Sequence, residues 1–343
     1  MAVDAGWLAA QRELALAIER EVGRVVVGQA RAIRLVNTAV FARGHVLLQG
    51  DVGVGKTTLL RAFARVLGGA FARVEGSIDL MPADLVYHTH IAADGRPAVD
   101  PGPLIAHGED LSVFFFNEIN RARPQVHSLL LRAMAERSLS AFNREFRLPH
   151  LLVFADRNRV EREETFELAV AARDRFLMEV TLDTPAGDDD RAALVFDPRF
   201  HDTDALVDTL PAALVPHREL GALSAALQNH IQAAPALQRY ALALWRATER
   251  PADAGVRLAQ ALELDVSQLV LAGASPRGMS MLLRAARVAA WLDGRGHLVP
   301  EDIQAVFEAV LGHRLVLQPV YELRRAALVP ALTAAILQAV PAP

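Results

Sequence analysis

The stretch Gly50-Asp51-Val52-Gly53-Val54-Gly55-Lys56-Thr57 constrains this chain more than any other. It has the spacing G-x-x-x-x-G-K-[ST], follows the apolar run Val46-Leu47-Leu48, and precedes Thr58-Leu59-Leu60-Arg61-Ala62-Phe63, which reads as a helix. A strand that turns through glycines into a helix points backbone N–H groups and a positive helix end at one spot, which suits phosphate oxygens. Lys56 then reaches the β- and γ-phosphates of a nucleoside triphosphate, and the Thr57 hydroxyl ligates Mg²⁺. A glycine-rich turn with an incidental lysine would look similar. Lys56, however, is the only lysine in the chain, the other basic residues being arginine. A compact ammonium stands at the one place where a point charge serves phosphate better than a planar fork. The expected nucleotide site is therefore Gly50, Asp51, Val52, Gly53, Val54, Gly55, Lys56, Thr57 and the adjoining Thr58.

Composition narrows the function classes. The 343 residues carry 52% hydrophobic and 22% charged side chains, enough for a large core and two ordered domains. A net charge of −4 without a basic block gives no electrostatic footprint for nucleic acid. The absence of cysteine excludes disulfides, thiol nucleophiles and Cys-ligated zinc, and fits a reducing compartment. Asp4, Arg12, Glu13, Glu19, Arg20 and Glu21 do not suit a signal peptide, and Ala326–Val340 is too short to span a bilayer. The expectation is a cytoplasmic protein without a membrane span.

Strand and helix patterns alternate up to Leu182. Trp7–Val22 and about Ala30–Phe41 have helical spacing, with a turn at Val25–Gln29 between them. Phe71–Val74, Leu111–Phe116, Leu151–Ala155 and Met178–Leu182 read as strands, with helices at about Pro124–Glu136 and Ala169–Asp174. Two hairpins are expected off the core. One turns at Asp94-Gly95 within a loop-rich insertion over about residues 77–104. The other, over about residues 138–149, pairs Leu139–Phe142 with Glu145–Leu148 and turns at Asn143-Arg144. Beyond Asp183-Thr184-Pro185 only helical periods are found, at about Glu219–Ala233, Ala236–Ala247, Met279–Trp291, Pro300–Leu311 and the C-terminal stretch. The reading is an α/β P-loop core with a parallel sheet over residues 1–185 and an all-α domain over residues 186–343.

The apolar run Val113-Phe114-Phe115-Phe116 ends in Asn117-Glu118. P-loop ATPases commonly place an aspartate that positions Mg²⁺ at such a strand end, then a glutamate that orients the attacking water. Asn117 offers an amide instead, with neither the negative charge nor the basicity, while Glu118 keeps the second role. His88 and His90 could face one metal from a strand, but no third ligand is placed, and hairpin histidines explain them better.

Asn117-Glu118-Ile119-Asn120-Arg121-Ala122 and Ser275-Pro276-Arg277 resemble the MoxR family of AAA+ ATPases, whose corresponding motifs read D-E-I-N-R-A and A-S-P-R. Ile78-Asp79-Leu80-Met81-Pro82-Ala83-Asp84 and Gly102-Pro103-Leu104 resemble that family's insertion around helix 2, and the likeness runs from about Val27 to about Leu317. The resemblance implies an αβα AAA+ core, a helical lid, and ATP with Mg²⁺ bound between subunits of a ring, typically a homohexamer. Thr57 and Asn117 are then the metal positions, and Gly28 joins the nucleotide-binding residues. Asn158 matches sensor 1. Arg175 in Asp174-Arg175-Phe176 matches the arginine finger, with Arg173 as the alternative. Arg277 matches sensor 2. The implied function is an ATP hydrolase that remodels or matures a client enzyme complex in a chaperone-like way, with a partner carrying a von Willebrand factor A domain. Asn117 predicts slow or assembly-dependent hydrolysis, so a nucleotide-dependent assembly switch or scaffold stands as the alternative. A DNA motor, suggested by the insertion architecture, is disfavoured by the acidic balance.

Overall fold

The computed structural model describes residues 5–158, 166–258 and 264–343. Its elements fall into two compact units. One comprises Glu13–Phe176 and Val180–Ala222; the other comprises Met1–Arg12, Leu177–Glu179 and Leu223–Pro343.

Helices α1 (Ala5–Val25) and α2 (Ala30–Phe41) precede strand β1 (Val46–Gly50), helix α3 (Lys56–Leu67) and strand β2 (Ala70–Glu75). The hairpin β3–β4 (Tyr87–Ile91, Pro97–Pro101) follows, then β5 (Leu111–Asn117) and α4 (Pro124–Glu136). Next come the hairpin β6–β7 (Ser138–Ala141, Arg144–Arg147), β8 (Leu152–Asn158), α5 (Val170–Arg173) and β9 (Met178–Leu182). The five-stranded sheet has the order β2-β5-β8-β1-β9, and β2–β5, β5–β8 and β8–β1 pair in parallel. Crossovers between parallel neighbours need intervening helices, so apolar residues line both sheet faces and β5 is buried along its whole length. Phe114 and Phe116 enter one core cluster with Val153 and Ala155. The other face of β5 begins a second layer at Phe115, against which α3 packs on β1 and β5.

This order puts β8 between β5 and β1. Register pairs Phe116 with Ala155 and Leu48 with Asp156, so the C-terminal ends of three sequence-distant strands lie side by side. In open parallel sheets such ends form the binding edge. Gly76, just past β2, permits the close approach there: a Cβ on it would lie 2.1 Å from the Glu118 carbonyl oxygen.

The same unit continues through α6 (Asp188–Phe196), α7 (Thr203–Asp208) and the first residues of α8 (Leu220–His230). The other unit holds α9 (Pro235–Glu249), strand β10 (Val270–Ala272), α10 (Pro276–Leu292), α11 (Pro300–Leu311), strand β11 (Val316–Leu317), α12 (Pro319–Glu322) and α13 (Arg325–Ala339). There α10 packs along α11, and α13 buries Leu328, Val329, Leu332 and Ile336 although Pro330 lies inside it.

Two expectations need correction. The second domain is not wholly helical, because β10 and β11 pair antiparallel; segments of three and two residues are too short to show a period. The second hairpin turns at Phe142-Asn143, one residue earlier than expected, with φ of 51° and 57°. A two-residue loop needs positive φ at both central positions, and Asn143 meets that demand at the second of them. The hairpin at Asp94-Gly95 is found where the sequence placed it.

Gly76→Ala is expected to destabilise the sheet edge by about 1–3 kcal/mol or more, because backbone must move to admit the methyl group. Denaturant unfolding of the variant beside the wild type measures this.

Candidate active site

The P-loop takes its shape from glycine. Gly53 and Gly55 have φ of 82° and 88°, and a Cβ at either would meet nothing within 4 Å, so the loop is curled around open space. Gly55 is the N-cap of α3, and no side chain caps that helix end. Its first N–H groups have no partner within the helix and face outward with the positive end of the dipole. This is an anion cradle, so the residues present fit a nucleotide phosphate. Gly50 is tight for a different reason: a Cβ there would fall 2.6 Å from the Leu182 carbonyl oxygen. Asp51 and Val52 are exposed, with Val54 partly covered at the loop's inner side.

Lys56 is buried, and its Nζ donates to Gly50 O at 2.9 Å, Asp51 O at 2.9 Å and Asn158 Oδ1 at 2.7 Å. The Asn158 amide has its other end fixed as well, with Nδ2 donating to Glu118 Oε1 at 3.2 Å. Lys56 can only donate and the Glu118 carboxylate only accepts, so both contacts demand the same amide orientation. The second oxygen of Glu118 accepts from Arg121 Nη1 at 3.0 Å. Lys56, Asn158, Glu118 and Arg121 thus form one continuous hydrogen-bonded chain.

Asn117 is buried at the end of β5, and its Nδ2 donates to Glu75 at the end of β2. Glu75 also pairs with Arg73 at 3.0 Å. The amide nitrogen is thereby engaged with Glu75, and the Asn117 oxygen remains an acceptor. Glu118 has left-handed backbone angles, φ 51° and ψ 51°, and its N–H donates to Asp156 Oδ1 at 2.6 Å. Asp156 is 2% exposed. Burial pushes its carboxyl up to about 6, opposed by the Glu118 N–H and by the Lys56 ammonium, and helped by the Glu118 and Glu75 charges.

The structure therefore brings Lys56, Asn117, Glu118 and Asn158 together. Thr57 and Thr58 lie in the first turn of α3, partly buried. Gly28 sits apart from these contacts, at φ 72°, where a Cβ would lie 2.7 Å from Pro185 Cβ. Arg175 donates to Ala171 O at 2.8 Å and to none of the groups around Lys56. Arg173 ends α5. Arg277 is exposed in the first turn of α10, behind the N-cap Ser275, whose hydroxyl accepts from Gly278 N at 3.0 Å. No group of three or more His, Asp or Glu side chains among the described residues is set to hold a metal. Mg²⁺ needs none, since it binds through one or two protein oxygens plus substrate phosphates.

Sequence reasoning missed Asp156 and Glu75. The signal for Asp156 was a carboxylate continuing the buried strand Leu151–Ala155, since aspartate is almost never fully buried without a partner.

The family profile for ATPases associated with various cellular activities (AAA) matches residues 45–178, and that for the AAA lid domain matches residues 262–334. Protein MoxR of Methylorubrum extorquens is 61% identical over 332 residues, covering 97% of this chain and 96% of that protein. The chain belongs to the MoxR family of AAA ATPases. Protein MoxR of Paracoccus denitrificans is 58% identical over 95% of both chains. Chaperone MoxR1 of Mycobacterium tuberculosis is 34% identical over 87% of this chain and 74% of its own length. A solved structure from Cytophaga hutchinsonii covers 98% of this MoxR-family chain at a TM-score of 0.80 and 26% identity, and is itself covered to 97%.

Asn158→Ala cuts the side-chain link that joins Lys56 to Glu118. Turnover of ATP is expected to fall about 10–100-fold, the usual cost of losing a group that orients a catalytic one. Steady-state hydrolysis beside fluorescent-nucleotide titration checks this, and nucleotide affinity should change far less than the rate.

Proposed function

We propose that this chain binds ATP with Mg²⁺ at Gly50–Thr58, hydrolyses it in a homohexameric ring, and uses the cycle to remodel or mature a client enzyme complex. The observation that carries the proposal is the Lys56–Asn158–Glu118 chain, which ties the phosphate-binding cation to a carboxylate able to orient water. Thr57 and the Asn117 oxygen are the protein groups for the metal, whose contribution is to neutralise charge on the phosphates. Glu118 orients the attacking water, and Asn158 fixes Glu118. Arg175, which donates to nothing around its own Lys56, fits a finger offered to a neighbouring subunit, and Arg277 is the remaining cation assigned to the γ-phosphate. The chaperone named among the relatives supports the remodelling role, and a partner with a von Willebrand factor A domain accords with it. A cytoplasmic setting suits ATP-driven work, and among the described residues no helix is long and apolar enough to cross a membrane.

Arg175→Ala is the sharpest test of the ring. Turnover should drop about 10³-fold or more while nucleotide affinity holds, since such a finger acts on the transition state. Mixing Arg175→Ala with Lys56→Ala subunits should restore part of the activity, because each supplies what its neighbour lacks. If mixing restores none, the shared site is wrong.

One observation favours a second reading, a slow assembly switch: position 117 holds an amide. On that reading Asn117→Asp raises turnover about 10-fold or more by restoring a metal-directed charge. A rate that does not rise in a steady-state assay removes it.

A further inference from the structure

Position 117 lacks a carboxylate, yet the strand edge does not. β8 runs between β5 and the P-loop strand β1, and Asp156 on it pairs in register with Leu48. Phe116 and Ala155 are register partners buried in the same core cluster, so Asn117 and Asp156, each one residue further along, belong to the opposite face. Asn158 shares that face with Asp156 at a spacing of two, and its amide touches Lys56 Nζ at 2.7 Å. Asp156 is thus one strand nearer the P-loop strand than residue 117, on the side from which Lys56 is held.

Such a burial needs a reason. An ionisable carboxyl at 2% exposure is costly, and among the described residues one hydrogen bond offsets it, from the Glu118 N–H to Asp156 at 2.6 Å. An amide in the same place could accept that bond equally well without the cost of a charge. The hydrogen bond explains an acceptor at position 156; it does not explain an acid. Positive charge would: the Lys56 ammonium lies within electrostatic reach, opposed by the Glu118 and Glu75 carboxylates, and a divalent cation on a phosphate bound there would add to the Lys56 side.

We infer that Asp156 carries the fixed negative charge of the Mg²⁺-nucleotide centre that Asn117 cannot supply, with Asn117 retained as a neutral oxygen donor steadied by Glu75. The chain has moved its acid one strand over, not dispensed with it. This rests on the ATPase reading above and deepens it, because it removes the reason to expect a crippled site.

The test uses the full-length protein and a fluorescent ATP analogue, titrated with Mg²⁺ and again with a chelator. Asp156→Asn keeps the acceptor for the Glu118 N–H and removes only the charge. It should lower the Mg²⁺-dependent gain in affinity about 10–100-fold while leaving the chelated affinity in place as a control on folding. Adding Asn117→Asp to that variant returns one charge to the edge and should recover most of the gain. A wild-type Mg²⁺ response in Asp156→Asn, or a double variant no better than the single one, overturns the inference. Should Asp156→Asn alone fail to fold, the double variant decides against the wild type: a comparable Mg²⁺ response supports the relocated charge and its loss refutes it. A wild-type protein that binds no ATP would sink the ATPase reading itself. One that binds ATP while Asp156→Asn behaves normally sinks only this step.

Discussion

The Lys56 ammonium has three N–H donors, and three oxygens accept from it: two belong to the loop itself, at Gly50 and Asp51, and one to Asn158 on β8. The arrangement locks the P-loop's only long cation against the sheet edge, and it makes the loop's shape depend on a residue 102 positions further on. A buried ammonium without such partners would shed its proton or leave the site. Asn158, and Glu118 through it, are held with respect to that contact. Asn158 cannot rotate without unpairing Lys56, and Glu118 loses one of its two holders if Asn158 rotates.

Topology is what makes the contact possible. With the order β2-β5-β8-β1-β9, the strand bearing Asn158 and Asp156 is threaded between the strand leading to the P-loop and the strand ending in Asn117-Glu118. The phenylalanines of β5 are a consequence of its central position, for a strand covered on both faces has no polar side to present. Their burial fixes the register that sets Phe116 opposite Ala155, and a slip by one residue would turn Asp156 into the apolar cluster and Ala155 toward Lys56. The chemistry at the edge is therefore protected by the packing beneath it.

Contiguous features were legible in the sequence and assembled ones were not. The P-loop could be read because its glycines, lysine and threonine act through one stretch of backbone. The strand ending in Asn117-Glu118 could be read because an apolar run stops abruptly at polar residues. Asp156 could not be assigned a partner, since its partner is the backbone N–H of Glu118, 38 residues away, and a backbone donor leaves no mark in composition. Glu75 escaped for the same reason: its link to Asn117 exists only because β2 and β5 are neighbours. Among the elements, the ribbon β10–β11 and the tip of the second hairpin were missed by lengths of two or three residues, below the reach of any periodicity.

The donor arithmetic at Lys56 also bears on how a phosphate enters. A nucleotide oxygen that takes an N–H from Lys56 competes with the Gly50, Asp51 and Asn158 oxygens that accept from it here. The two carbonyls are part of the loop's own curl, whereas Asn158 is held at a single bond by Lys56, so the amide is the partner that yields at least cost. Once released at that end, Asn158 keeps its hold on Glu118 through Nδ2 and has an oxygen that can accept from a water. Lys56 and Glu118 are thus joined through one shared amide, whose oxygen accepts from the cation and whose nitrogen donates to the carboxylate, so a shift at either end is open to the other.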